Sequence, residues 1–503
     1  MMRRLVAVVV LTTFALSLAL LTRRTMYAAI TDEAASETLP VSPGSAYYAL
    51  RLEGAVVGFA TISVDTSVTT VRVSELVDMR LPDGDSLRHF HVRSETLLDR
   101  SLRLRSLTYV RTVDRRRSLV SGRTLQDTVL VWHVRDTTST SPADTVRLPA
   151  AGLQTAGVMP LVLVYRSQAR IGTRRGGLVA DPFARRVAAG EMVVLADSTF
   201  VVADSARQDS RQEWIPARWD SVHAWQVERR GLGAPSRIWV DDAGLPVAGE
   251  LWAGLALERQ PYEIATSSYR AAVAAHFPDM PRPAGSRRLT APAHTLRRLE
   301  VLLADVLGDS VGWRRSGLTG GPQHLRGDTL VVDLGADSTR IVPEPSAHDG
   351  LAPSTVVPFR ELARRLVAGE SDPARIVARL AAWTARSVAQ DDGDDVPHVP
   401  LALASRRGDA GTRAALFTTL ARASGVPTRV VAGLVTDRGT WRRHSWAEAW
   451  LDGRWTPVDP TLGVTPASAA YVRLLEDTPA DPMTLIPLAS RLAPMALARP
   501  AIP

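Results

Sequence analysis

Several residues that could carry chemistry lie within one stretch of the chain, Ser405–Gly463. Asp409 is a residue type that commonly caps a helix, and the alanine-rich stretch after it predicts a helix whose first turn contains Ala410. His444 begins a predicted strand, and Asp459 ends the next one. The positive end of a helix would stabilise a thiolate at position 410. The chain, however, contains no cysteine.

These residues belong to three blocks that resemble the core of the transglutaminase-like superfamily. The blocks are R-R-G-D-A ending at Ala410, H-S-W-A-E beginning at His444, and W-T-P-V-D-P-T containing Asp459. The family carries R-x-G-D-C, H-A-W-x-E and W-x-x-x-D-P-T at these places. The resemblance implies that Ala410 replaces the nucleophilic cysteine, His444 is the base, and Asp459 orients the imidazole. A methyl group cannot form an acyl intermediate, so we predict a pseudoenzyme with His444 and Asp459 as a remnant dyad.

Two functions from different classes stay open. In the first, the domain is a binding or scaffolding module with a vestigial groove for a peptide or an envelope polymer. In the second, it is a peptidase or acyltransferase that uses a nucleophile other than cysteine. Ser405 and Thr412 lie near the helix start, whereas Ser445 is expected on the opposite face of its strand from His444. The segment Gly411–Arg413 departs from the polar-Glu-His set that often follows the family cysteine, which favours the first function.

No cofactor and no metal site is predicted. A chain without cysteine excludes disulfides, thiolate metal sites and iron–sulfur clusters. His89 and His91 would share one face of a strand, but no third ligand is in view. The acidic segment Gln390–Asp395 lacks the spacing of a calcium-binding loop. Glu448 is expected to be structural.

The charge pattern argues against a nucleic-acid partner. The formal net charge of the chain is +8. The basic residues are arginines, which are scattered in pairs and one triple, Arg115-Arg116-Arg117. A nucleic-acid surface would usually show a basic stripe with interleaved aromatic side chains.

The N-terminal residues predict export from the cytoplasm. An apolar run from Leu5 to Thr22 lies between two arginine pairs, and about 20 apolar residues are needed to cross a bilayer. Residues 1–30 are therefore predicted to be a signal anchor or, alternatively, a cleaved signal peptide. The flanking arginines leave the orientation open. The protein is expected to cross a bacterial cell membrane once, with its body on the extracytoplasmic side. A secreted or periplasmic protein is the alternative.

The predicted fold class is α+β. Many short alternating or β-branched segments between residues 45 and 270 predict a domain built on a curved antiparallel sheet. Residues 271–293 are predicted as a linker rich in proline and alanine. The resemblance implies a transglutaminase-like, papain-like α+β domain at 294–480. Residues 481–503 are expected to form an exposed or loosely docked tail.

Overall fold

The computed structural model describes residues 39–83, 86–125, 129–136, 144–147, 153–182, 186–230, 236–252, 254–277, 292–303, 319–327, 329–335, 353–391, 399–437, 440–476, 485 and 494–497. The predicted signal segment 1–30 lies outside these residues, as do residues 278–291 of the predicted linker. None of the helices in the described ranges is long and apolar enough to cross a membrane.

The N-terminal half forms one large sheet of 15 strands. Their order in the sheet is β8-β7-β6-β5-β4-β3-β2-β1-β15-β14-β13-β12-β11-β10-β9. The strands are β1 Gly44–Leu52, β2 Ala55–Thr66, β3 Thr70–Asp83, β4 Ser86–Asp99, β5 Leu104–Val113, β6 Arg116–Leu125, β7 Val129–Asp136, β8 Asp144–Arg147, β9 Leu153–Thr155, β10 Arg174–Asp181, β11 Arg186–Gln208, β12 Trp214–Arg230, β13 Ser236–Asp241, β14 Pro246–Trp252 and β15 Leu255–Arg259.

The predicted α+β fold class is wrong, because the described chain is mostly β. Strands account for 56% of it and helices for 21%. The large sheet is also mixed, since β9 pairs with β10 in parallel. Parallel neighbours need a crossover connection, and here helix α1, Met159–Ser167, supplies it. The prediction was wrong because the helices are confined to a short region around the motif. The strands of the large sheet, in contrast, come from more than two hundred residues of chain and dominate the composition of the fold.

Two helices cover apolar surface of the large sheet. Helix α1 has a proline in its first turn and buries Met159, Leu161 and Leu163. Helix α2, Tyr262–Ala274, follows β15 and packs on β1 and β2 through Ala265 and Tyr269. Both helices are short, so they depend on this apolar contact for stability.

The C-terminal half contains two four-stranded sheets. One sheet has the order β17-β18-β16-β25, and the other has the order β23-β22-β21-β24. The strands are β16 Arg298–Leu303, β17 Gln323–Arg326, β18 Thr329–Asp333, β19 Ala389–Gln390, β20 Arg407–Gly408, β21 Thr428–Asp437, β22 Thr440–Leu451, β23 Arg454–Val458, β24 Tyr471–Glu476 and β25 Pro494–Leu497. Because β25 pairs with β16, this part of the predicted tail lies within a sheet.

Four helices pack beside these sheets. They are α3 Pro353–Val367, α4 Pro373–Ser387, α5 Val399–Ser405 and α6 Ala410–Ala423. In α6, Leu416, Phe417 and Leu420 are fully buried and share a core with Ala447 and Ala449 of β22. This packing places α6 against the strand that contains His444.

The two halves of the chain touch through a loop close to the start of α6. Arg116, at the β5–β6 turn, donates to Asp391 over 2.8 Å. Asp391 directly follows β19, which pairs with β20. Strand β20 ends two residues before the first residue of α6. The large sheet is therefore in contact with the region that presents Ala410.

Candidate functional site

The structure brings His444 and Asp459 together. His444 lies on β22, and Asp459 directly follows β23, the antiparallel neighbour of β22. The distance from His444 Nε2 to Asp459 Oδ2 is 2.9 Å. The imidazole retains 19% of its exposed surface, whereas the carboxylate is buried. The buried Asp459 carboxylate therefore fixes the orientation of the His444 imidazole through Nε2. The other ring nitrogen, Nδ1, remains available to a different partner.

The Asp459 carboxylate is held in its ionised form. Its Oδ1 accepts from the backbone N–H of Thr461 over 2.7 Å, and its Oδ2 also accepts from the Tyr471 hydroxyl over 2.6 Å. Burial by itself would raise the pKa of Asp459, but hydrogen bonds from His444, Tyr471 and Thr461 outweigh it and lower the pKa. An ionised acceptor at Oδ2 places the proton of His444 on Nε2, which leaves Nδ1 as the basic nitrogen.

Tyr471 is a site residue that the sequence did not single out. Its ring meets the imidazole of His444 edge-on at 5.9 Å and the indole of Trp446 at 5.3 Å. It lies on β24, which joins the sheet beside β21. Gly433, opposite His444 in the register, permits this approach, because a Cβ there would lie 2.0 Å from the Val472 carbonyl oxygen. No local motif identifies this tyrosine, because only the strand pairing places it beside Asp459.

The predicted helix begins where the sequence places it. Asp409 caps α6 by accepting from the Thr412 N–H over 2.7 Å, and Ala410 is the first helical residue. Arg413, also in the first turn, is buried and donates to the Ala385 carbonyl and to Gln390 Oε1. Burial lowers the pKa of the Arg413 guanidinium, and the Asp459 carboxylate acts in the opposite direction. The start of α6 and the His444–Asp459 pair therefore lie within electrostatic range of each other.

Within the described residues, the three hydroxyls considered as alternative nucleophiles are not paired with His444. Ser445 is 1% exposed and neighbours His444 on a strand, where successive side chains point to opposite faces. Ser405 Oγ lies 3.4 Å from the Arg407 carbonyl oxygen. Thr412 packs against the backbone of Gly408. In the part of the chain that the structure describes, no Ser or Thr hydroxyl forms a hydrogen bond with His444.

Glu448 lies in a buried ion network on the His444 strand. Its carboxylate accepts from Arg473 over 2.7 Å and from Arg429 over 2.6 Å. Burial would raise the pKa of Glu448, but the two guanidinium groups outweigh it and lower the pKa. The Arg429 guanidinium also stacks over the Trp455 ring at 4.2 Å. This network links three strands of the sheet, which agrees with the expected structural role.

His89 and His91 share a carboxylate on the neighbouring strand. His89 Nε2 and His91 Nδ1 each lie 3.0 Å from an oxygen of Asp78, and Tyr269 of α2 donates to the same group over 2.8 Å. Within the described ranges, no group of three or more His, Asp or Glu side chains is arranged to hold a metal. Residues 392–395 of the predicted acidic segment lie outside those ranges, and Asp391 pairs with Arg116.

Two cavities lie away from the His444–Asp459 pair. One, of about 390 Å³, is bordered by the β22–β23 hairpin and includes Arg375, Arg454 and Trp455 in its lining. The other, of about 430 Å³, lies within the N-terminal sheet. Neither is lined by His444 or Asp459.

Residues 360–460 match the model of the transglutaminase-like superfamily. The chain therefore contains a transglutaminase-like domain, and the resemblance predicted from the three blocks is confirmed for these residues. No curated protein matches the sequence.

Among solved structures, the chain is similar to a β-barrel-like protein of a domain of unknown function from Brucella abortus (13% identity, TM-score 0.31), over 44% of this chain and 95% of that one. It is also similar to a candidate cysteine protease from Cytophaga hutchinsonii (13% identity, TM-score 0.23), over 38% of this chain and 77% of that one. A candidate protease from Parabacteroides distasonis (9% identity, TM-score 0.20) is similar over 72% of this chain and 68% of that one.

Proposed function

We propose that this chain is a catalytically inactive transglutaminase-like protein of the cell envelope, exported or membrane-anchored, which acts as a binding or scaffolding module. The observation that carries the proposal is the residue at the start of α6. Ala410 stands at the first helical position, after a capping Asp409, in a chain without cysteine. An alanine methyl group cannot attack a carbonyl, so the acyl-transfer chemistry of a cysteine at this place is lost.

The retained imidazole and carboxylate fit a structural role. His444, Asp459 and Tyr471 join β22, the end of β23 and β24 through hydrogen bonds of 2.9 and 2.6 Å. An aspartate buried without these donors would carry a large desolvation cost. The pair is therefore explained by its contribution to stability, without any role in turnover.

The alternative, a peptidase or acyltransferase with another nucleophile, receives no support from the hydroxyls near the pair. Such a nucleophile needs an aligned base within hydrogen-bond reach. Ser445 is buried next to His444 in sequence but on the other strand face, and Thr412 contacts Gly408.

The proposal is tested by assaying the purified chain for transamidation of a glutamine-donor peptide and for hydrolysis of peptide pools from the envelope. We expect no turnover above buffer. A matched His444→Ala variant serves as the control, because a contaminating enzyme would give the same rate in both preparations. Turnover that disappears in His444→Ala would show that the domain is an enzyme.

The envelope location and the partner are tested separately. A phosphatase fused after residue 40 should be active if the arginine-flanked run at 5–22 exports the body, and inactive if the body stays in the cytoplasm. Crosslinking in intact cells should then recover a peptide or envelope polymer attached to residues 360–460. Recovery of the chain in the cytosolic fraction alone would contradict the scaffold proposal.

A further inference from the structure

The N-terminal sheet encloses a cavity of about 430 Å³. Leu107 on β5 and Val179 on β10 both line it, although these strands lie far apart in the sheet order. The sheet must therefore curl around the cavity. A volume of this size falls within the range of about 300–1,000 Å³ that is typical of small-molecule sites.

The walls of this cavity are mostly aliphatic. Ile62, Val77 and Leu161 contribute from two strands and from helix α1. Ile62 and Val77 belong to the apolar core but keep part of their surface accessible, since they border the cavity. Unfilled apolar surface of this kind favours a hydrocarbon ligand, because its burial is favourable by about 25 cal/mol per Å².

One end of the cavity is polar. Glu75 Oε2 accepts from the Ser94 hydroxyl over 2.5 Å, and both side chains line the cavity. Gly157 packs directly on this carboxyl, since a Cβ there would lie 2.2 Å from Glu75 Oε1. The Thr155 hydroxyl and the Arg229 Nε have no hydrogen-bond partner within the described residues. Buried polar groups are normally paired, so these atoms indicate a ligand or ordered water at this end.

The polar end is rich in hydrogen-bond donors. Burial raises the pKa of Glu75, and the Ser94 hydroxyl and the Arg229 guanidinium act in the opposite direction. Burial lowers the pKa of Arg229, opposed by Asp181 and Glu75, but a guanidinium remains charged in proteins. Asp181, which also lines the cavity, balances part of this charge. The Arg229 guanidinium and the Thr155 hydroxyl together suit a head group that accepts hydrogen bonds.

We propose that the cavity binds an amphiphile whose hydrocarbon chain lies against Ile62, Val77 and Leu161 and whose anionic oxygen head group meets Arg229. The head group could be the carboxylate of a fatty acid or the phosphate of a phospholipid. This site is independent of Ala410, His444 and Asp459, so its test does not depend on the loss of catalysis.

The test uses the full chain in vesicles prepared from the expressing cells. Three photoreactive probes carry a diazirine on the alkyl chain: a palmitate, a phosphatidic acid and an alkylamine. After irradiation, mass spectrometry quantifies labelling of peptides containing Ile62, Val77 or Leu161 as a function of probe concentration. We expect saturable labelling by palmitate, by phosphatidic acid or by both, which identifies the source of the head group, and weaker labelling by the amine.

Variants at the polar end of the cavity test whether the head group of the ligand carries a negative charge. Arg229→Met should raise the half-saturating concentration of the anionic probe about tenfold, as expected for losing a charge-assisted hydrogen bond. Arg230→Met is the matched control, because Arg230 bonds Glu228 and does not line the cavity. Glu75→Gln removes a carboxyl group next to Arg229, so it should not weaken anionic binding.

Circular dichroism shows whether Arg229→Met folds. If it does not fold, a second variant provides the test. Ile62→Trp fills the cavity and should abolish labelling of its lining, whereas Ile171→Trp, at an exposed site, should not. Labelling of the cavity peptides in the wild-type chain that is stronger with the amine than with either anionic probe would overturn the anionic assignment. Labelling that is absent from these peptides, or equal in Ile62→Trp and wild type, would overturn the site itself.

Discussion

Replacing Ala410 with cysteine would introduce a single thiol at the first position of α6, in a chain that otherwise has none. Its pKa reports directly on the electrostatics of the position to which the family resemblance assigns the nucleophile. A free cysteine titrates at about pH 8.5. We expect the thiol at position 410 to titrate at about 6–7, because the helix start and an imidazolium at His444 both favour the thiolate.

The helix alone is insufficient for this shift. A charge at a helix N-terminus gains about 0.3–1 kcal/mol, and 1.36 kcal/mol corresponds to one pKa unit, so the dipole lowers the pKa by about 0.2–0.7 units. The Asp409 carboxylate, which caps the helix at the preceding residue, acts against it. An opposite charge within ~4–6 Å lowers a pKa by about 1–3 units. Any shift beyond about one unit must therefore come from a neighbouring cation, and the His444→Ala variant separates His444 from Arg413, which lies in the same helical turn.

The assay is the rate of alkylation by iodoacetamide as a function of pH, which follows the thiolate fraction. Ala410→Cys is compared with the double variant Ala410→Cys/His444→Ala, whose thiol should titrate at least one unit higher. Ala423→Cys, at the other end of α6, is the matched control, because the negative end of the dipole raises a thiol pKa there. If the thiol at position 410 titrates like a free cysteine, or if removing His444 leaves its profile unchanged, the reasoning about this site is refuted.

Three further predictions concern stability. Tyr471→Phe removes the 2.6 Å hydrogen bond to the buried Asp459 carboxylate and should cost about 1.5–3 kcal/mol in urea unfolding, with Tyr262→Phe, at an exposed ring, as the unaffected control. Glu448→Gln removes the buried carboxylate that two guanidinium groups share and leaves Glu476 as their remaining acidic partner, so it should cost about 3 kcal/mol, whereas Glu258→Gln at an exposed pair should cost under about 1 kcal/mol. Burial would raise the pKa of Asp78, but hydrogen bonds from His89, His91 and Tyr269 lower it to about 2. Its stabilisation, about 2 kcal/mol, should therefore be complete above pH ~4 and be lost as the pH falls through about 2. In Asp78→Asn this pH dependence should disappear, while Asp65→Asn at an exposed site should retain it; equal curves for both variants would contradict the assignment.

Local patterns predicted the elements of the transglutaminase-like domain well. Asp409 caps α6, Gly425 and Pro427 follow its end, and the Asp452-Gly453 turn joins β22 to β23, where both turn residues have positive φ. Each of these features depends on side chains within a few residues of one another, so the sequence contains the necessary information. The same locality explains why His444 and Asp459 could be paired in advance: their strands are consecutive and joined by a tight turn.

The structure of the N-terminal half was harder to predict from the sequence. No pattern in the sequence identified the apolar stretch around Met159 as helix α1, whose crossover makes β9 parallel to β10. Alternation predicts that a strand exists, but it does not predict which strand will be its neighbour. For that reason, a curved antiparallel sheet was expected, and a mixed sheet of 15 strands was found.

By itself, the sequence determined that a transglutaminase-like motif is present, that no cysteine can serve it, and that alanine occupies the start of the helix, because these are matters of residue identity and local spacing. Only the tertiary structure decided that Tyr471 completes the contacts of Asp459 and that Glu75 and Arg229 meet at one cavity. Those partners lie on strands brought together by long-range pairing and by the curl of the sheet. Such contacts arise from the packing of the whole sheet, which no short stretch of sequence encodes.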